Sequence, residues 1–171
     1  ADVVPGMDGS VAIRALATNF LDYTVDPGLP GSIPTARAGT VNLPAWRYSL
    51  AINYDNGPVS LSGTLRGISS SVLSNEFIEC TAGCPASTGN NPTYDSIQMP
   101  AAAYIDFAAT YRFGENGKYQ LFFNVRNITN KDPAIVAAGP TGFQSWNNQP
   151  ISAGQYDTIG RSFRAGFRFA L

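Results

Sequence analysis

Trp46-Arg47-Tyr48-Ser49-Leu50-Ala51-Ile52-Asn53-Tyr54, then Asp55-Asn56-Gly57-Pro58, then Val59-Ser60-Leu61-Ser62-Gly63-Thr64-Leu65-Arg66, is the stretch that decides the fold of this chain. Trp46, Tyr48, Leu50, Ile52 and Tyr54 alternate with Arg47, Ser49, Ala51 and Asn53. A period of two puts the apolar set on one face of a strand and the polar set on the other. After the turn residues the alternation resumes, with Val59, Leu61, Gly63 and Leu65 set against Ser60, Ser62, Thr64 and Arg66. Two such runs joined by an Asn-Gly turn read as a β-hairpin.

The same pattern recurs on both sides. Ile105, Phe107, Ala109, Tyr111 and Phe113 alternate with Asp106, Ala108, Thr110 and Arg112, and after Gly114-Glu115-Asn116-Gly117-Lys118 come Tyr119, Leu121, Phe123 and Val125 against Gln120, Phe122, Asn124 and Arg126. Val11, Ile13, Ala15 and Ala17 form an earlier run, and Phe163, Ala165, Phe167 and Phe169 a last one, opposite Ser162, Arg164, Gly166 and Arg168. The expectation is an all-β chain of about six antiparallel strands, several near the ~9–11 residues that cross a bilayer when tilted. Tight turns join strands two to three and four to five. The other three connections, near 24–45, 68–103 and 131–156, are long and rich in Pro, Gly, Ser and Asn. Structureless loops beyond roughly 12–15 residues are uncommon in compact soluble domains. Strict alternation of short and long connections collects the long ones at one end of the sheet, as in outer-membrane barrels.

The two faces differ in charge. Seven of the nine arginines, Arg14, Arg47, Arg66, Arg112, Arg126, Arg164 and Arg168, fall opposite the apolar face, and only Asp22 and Asp106 share their side. The apolar face has no charge and carries aromatics near strand ends: Tyr23, Trp46, Tyr54, Tyr111, Phe113, Tyr119, Phe167 and Phe169. Such rings suit the girdles of a membrane interface. Charged residues make up 13% of the 171 residues, against roughly 25% in ordinary soluble domains. The net charge of −1 leaves no basic surface for nucleic acid, and the absence of histidine removes the usual general base and the commonest zinc ligand. Neither an enzyme nor a metal or cofactor carrier is expected. Cys80-Thr81-Ala82-Gly83-Cys84 reads as a disulfide stapling a loop in an oxidising compartment, with free thiols as the alternative. The chain begins Ala1-Asp2-Val3-Val4, without an initiator Met or signal-like segment, and is read as a processed product or a piece of a longer protein.

Three segments carry a family resemblance. Tyr156-Asp157-Thr158-Ile159-Gly160-Arg161-Ser162-Phe163-Arg164-Ala165-Gly166-Phe167-Arg168-Phe169, Phe123-Asn124-Val125-Arg126-Asn127-Ile128-Thr129-Asn130 followed by Pro133, and Leu43-Pro44-Ala45-Trp46-Arg47 together resemble, in order and spacing, the C-terminal strands of TonB-dependent outer-membrane receptors. The resemblance spans residues 1–171, read as the last six strands of a barrel of about 22, with no plug domain. It implies an up-and-down transmembrane β-barrel segment with short periplasmic turns and long extracellular loops, located in the outer membrane. It also implies a non-enzymatic function: energised import of a scarce nutrient such as a siderophore or saccharide, driven by the TonB complex acting on the plug. The implied partners are outer-membrane lipid, the remainder of the barrel, the plug and a small-molecule ligand. The arginine face with Asp106 would then line the lumen and meet acidic plug residues, a water-filled lumen being the plain alternative. Tyr94, Phe143, Trp146, Asn147 and Asn148 are the candidate ligand residues in the loops. A complete small barrel acting as anchor or adhesin, and a secreted β-sandwich binding or fibre module, stand as alternatives.

Overall fold

A computed structural model describes residues 9–135 and 154–169. The alternating runs form six strands: β1 (Ser10–Asn19), β2 (Trp46–Asn56), β3 (Val59–Ile68), β4 (Ala102–Phe113), β5 (Tyr119–Arg126) and β6 (Ser162–Phe169). They build one antiparallel sheet in chain order, each strand paired with the next. Among the described residues β1 and β6 are edge strands, so the sheet is open.

The register carries the two-faced pattern across all six strands. Ile13, Ile52 and Gly63 are successive cross-strand partners, as are Tyr111, Leu121 and Phe167. Directly opposed residues share a face. The apolar sets therefore merge into one continuous surface. Two partnerships depend on glycine: the Tyr48 ring lies across Gly67, and the Phe122 ring across Gly166, where a Cβ would collide with the ring. Gly57, with φ of 49°, takes the left-handed position of the two-residue β2–β3 turn.

The long connections are more structured than their composition implies. Short ladders pair Thr24–Val25 with Thr35–Ala36, Ser71–Val72 with Gln98–Met99, and Ile78–Glu79 with Thr93–Tyr94. The first connection is tied to the second by Val41 N–H donating to Val72 O at 2.7 Å and Val72 N–H donating to Gly39 O at 3.0 Å. Their apolar residues collect into a buried cluster of Val41, Leu73, Ile97 and Met99 with Ile68, Ala102, Tyr104 and Tyr156. Ile68, Ala102 and Tyr104 lie in register with Arg47, Ile68 and Arg66, which places this core on the arginine face at the loop end.

The apolar face has no such cover. Many of its side chains are exposed, from 38% at Phe113 to 63% at Phe163, while those of β3 are half-buried and Val125 is buried; no second sheet packs on it among the described residues. A sandwich buries the opposite face from the one that is buried here. Alternation in the sequence also runs past the end of β1. Asp22 and Tyr23 continue the pattern but lie in the loop beyond Asn19, where Phe20 N–H already bonds Ala45 O at 2.9 Å. They hold no register position on either face.

Candidate functional site

The register sets all seven arginines on one face. Arg14 opposes Ala51, Arg47 opposes Thr18 and Ile68, Arg66 opposes Ser49 and Tyr104, and Arg126 opposes Ser162. Arg164 opposes Asn124, while Arg112 and Arg168 flank Gln120. Asp106 lies on the same face opposite Thr64.

Their surroundings divide them. Arg66 is the most engaged: Nε meets Asp106 Oδ2 at 3.2 Å, Nη2 meets Asp157 Oδ2 at 3.3 Å, and the guanidinium lies 4.9 Å from the centre of the Tyr104 ring. Asp157 arrives from the third long connection, 91 residues away, and its backbone N–H donates to the Tyr104 hydroxyl at 3.1 Å. The neighbouring Tyr156 hydroxyl donates to Pro100 O at 2.7 Å. Burial, and secondarily the nearby Tyr104, raise the Tyr156 phenol above its ordinary value.

The second oxygen of Asp106 continues the network. It accepts the Asn127 N–H at 2.8 Å, and Asn127 is fully buried in the left-handed region at φ 50°. The Asn127 side chain accepts from Lys131 N–H at 2.8 Å and donates to Lys131 O at 2.9 Å. Asn130, also left-handed, accepts the Arg161 N–H at 3.0 Å. Asn-Ile-Thr-Asn thus ends β5 and hands the chain toward β6. Asparagine tolerates this backbone region, and its amide supplies the bonds that the departing strand loses.

The other arginines make weaker contacts. Arg47 donates to Asn42 O at 3.0 Å, and Arg112 to Ser60 Oγ at 3.1 Å. Arg164 and Arg168 lie over the Phe122 ring at 5.9 and 4.8 Å. Among the described residues the side chains of Arg14 and Arg126 make no hydrogen bond or ion pair. Between β3 and β6 this face holds a groove of about 490 Å³, lined by Ser62, Thr64, Asp106, Asn124, Arg126 and Arg164 among others.

On the apolar face the rings of Tyr111, Phe113, Tyr119, Phe167 and Phe169 form one cluster at the tight-turn end, with centroids 5.4 to 6.4 Å apart. Tyr54 lies at the same end in β2, and Trp46 at the opposite end. Along β2 the eight-residue step from Trp46 to Tyr54 measures about 27 Å.

Cys80 and Cys84 form a disulfide in the second connection. Tyr94 is half-buried beside it, its ring 5.0 Å from that of Phe77 and packed against the loop core. Phe143, Trp146, Asn147 and Asn148 lie outside the described residues. Among the described residues no group of three or more Asp, Glu or Cys is placed to hold a metal ion. Asp157, Tyr104, Tyr156 and Asn127 were not singled out as site residues by the sequence pattern. The only signal was that Asp157, Tyr156 and Asn127 fall within the segments carrying the family resemblance.

Comparison with family models, with curated proteins and with solved structures gave no match.

Proposed function

We propose that this chain forms part of the barrel wall of a TonB-dependent outer-membrane receptor that imports a scarce nutrient. The observation that carries this reading is the apolar face, continuous in register over six strands, exposed at Ile13, Ile52, Ile105, Phe123 and Phe163 and bordered by aromatic rings, with the arginines gathered on the other side. Water disfavours such a face by ~25 cal/mol for each Å² of apolar surface left uncovered, whereas hydrocarbon accepts it. Strands of 8 to 12 residues suit a tilted crossing. The open edges support membership of a larger wall, because unpaired backbone groups in lipid cost several kcal/mol each. On this reading the remaining strands pair with β1 and β6, lipid covers the apolar face, and the plug and TonB complete the transport machine. The long connections face outward and the tight turns face the periplasm.

The test is fractionation of cells that make the protein, followed by intact mass. Outer-membrane material that needs detergent for extraction, with a polypeptide far larger than 18.2 kDa, is the expected result. A folded species near 18.2 kDa that stays in solution without detergent overturns the reading.

A further inference from the structure

We infer that the groove between Arg126 and Arg164 binds the carboxylate or phosphate group of a small anionic solute. The inference rests on the proposed function only in treating this face as the inner one. Arg126 ends β5 and Arg164 is the third residue of β6, so both lie at the loop half of the sheet. Since Arg126 opposes Ser162, Arg164 is its diagonal neighbour across the strand pair. Such neighbours have backbones about 7–8 Å apart, close enough for two long side chains to converge on one anion. Like charges in this relation repel unless something neutralises them.

The described chain does so only in part, since Arg66, Asp106 and Asp157 together carry one net negative charge against the two groove arginines. Asp106 is the acid lining the groove, and its two oxygens are already taken by Arg66 and the Asn127 N–H. Arg66 shows what an arginine on this face does when carboxylates are within reach: it takes two. Arg126 has no such partner among the described residues, and Arg164 has only the face of Phe122. Ser62, Thr64 and Asn124 add neutral donors along the groove wall. Planar guanidinium forks with hydroxyl and amide donors are the chemistry that recognises carboxylate and phosphate oxygens. A volume of about 490 Å³ suits a small solute. The position favours a solute over the plug, because Arg126 and Arg164 lie at the loop half of the sheet while Arg112 and Arg168 occupy the turn half.

The experiment is calorimetric titration of the purified full-length protein with citrate, inorganic phosphate, glucose and hexaglutamate. It is run on wild type, Arg126→Gln, Arg164→Gln, the double variant, and Arg14→Gln as a control on the same face four strands away from Arg126. Citrate and phosphate are expected to bind and glucose not to bind. Affinity should fall about tenfold for each groove arginine lost, stay unchanged in Arg14→Gln, and weaken with added salt. Equal citrate affinity in the double variant, or no citrate or phosphate binding to wild type, overturns the inference. Hexaglutamate binding more tightly than citrate, with that advantage lost in the double variant, assigns the groove to an acidic polypeptide segment and overturns the solute. Binding is read on purified protein, so a failed fractionation test and a failed titration are separate results.

Discussion

Replacing Arg66 with Met removes one cation shared by two carboxylates, and the structure sets the size of the effect. Both contacts are close, at 3.2 and 3.3 Å, but the Arg66 side chain is 36% exposed, so the pairs feel a medium between water and interior. A pair of unit charges at ~4 Å contributes about 1 kcal/mol in water and about 4 at an effective dielectric of 20. The exposure argues for the lower part of that span, about 1–1.5 kcal/mol for each pair. Asp157, with its side chain only 7% exposed, is then left beside Asp106 with no counter-charge. Arg66→Met should therefore cost about 3 kcal/mol, more than either carboxylate alone. Asp106→Asn and Asp157→Asn each leave Arg66 one partner and should cost about 1 kcal/mol. The decisive comparison is Asp157→Asn in the Arg66→Met background, where neutralising a stranded carboxylate should stabilise. Hydrogen exchange at the Asp157 and Arg161 amides reads local opening of the third connection, since these groups donate to Tyr104 and Asn130. Exchange on the order of 100-fold faster is expected in Arg66→Met, with partial recovery in the double variant. An Asp157→Asn cost that is equal in both backgrounds would refute the shared-cation argument.

Three more perturbations separate the parts of the same end. The raised Tyr156 phenol makes its docking fully effective below pH 10 and weaker as pH rises through the higher folded value, so protection of the Asp157 amide should fall in strong alkali; Tyr156→Phe should flatten that dependence and cost about 1–3 kcal/mol for the unpaired Pro100 carbonyl. Asn127→Ala loses the three side-chain amide bonds, to Lys131 N–H, Lys131 O and the Thr129 hydroxyl, and puts a Cβ-bearing residue without them in the left-handed region, whereas Asn127→Gly loses only the bonds; by urea unfolding the alanine variant should be the less stable by about 1 kcal/mol, and equality removes the backbone argument. Reducing the Cys80–Cys84 disulfide should release about 2 kcal/mol of loop-closure restraint, seen as faster proteolysis between residues 80 and 94 with the strand amides unchanged.

What could be read in advance follows from what leaves a period in the chain. The strands did, because each apolar face residue is followed two positions later by another, and every pairing in the register agrees with that alternation. The loop core did not. Val41 stands in the first connection and Leu73, Ile97 and Met99 in the second, where the ladders are of two residues, too short for any period to show. Tyr23 marks the opposite error, in which alternation continues by coincidence after β1 has ended. The Arg66 network could not be foreseen from spacing, since Asp106 and Asp157 lie 40 and 91 residues away. The sequence count of seven arginines against two acids on one face was right for Asp106 and wrong for Asp22. It also missed Asp157, which reaches the face from a connection and not from a strand.

The position of that buried core bears on the environment of the whole sheet. In a soluble sandwich the aromatic and branched residues of a strand find each other across the two sheets, and the arginines face water. Here the loops close over Ile68, Ala102 and Tyr104, on the arginine side, and leave Ile13, Phe123, Phe163 and Phe167 uncovered. Among the described residues the loops thus pack on the arginine face and not on the apolar one. A cover for the apolar face has to come from outside the described chain. Of the available covers, a second protein would be expected to interdigitate with a varied surface of pockets and polar rims. A charge-free band bounded at each end by rings is what hydrocarbon between two interfaces requires. The proposed membrane wall accounts for both faces at once: lipid takes the apolar one, and the lumen takes the arginines together with the inward-folded loops.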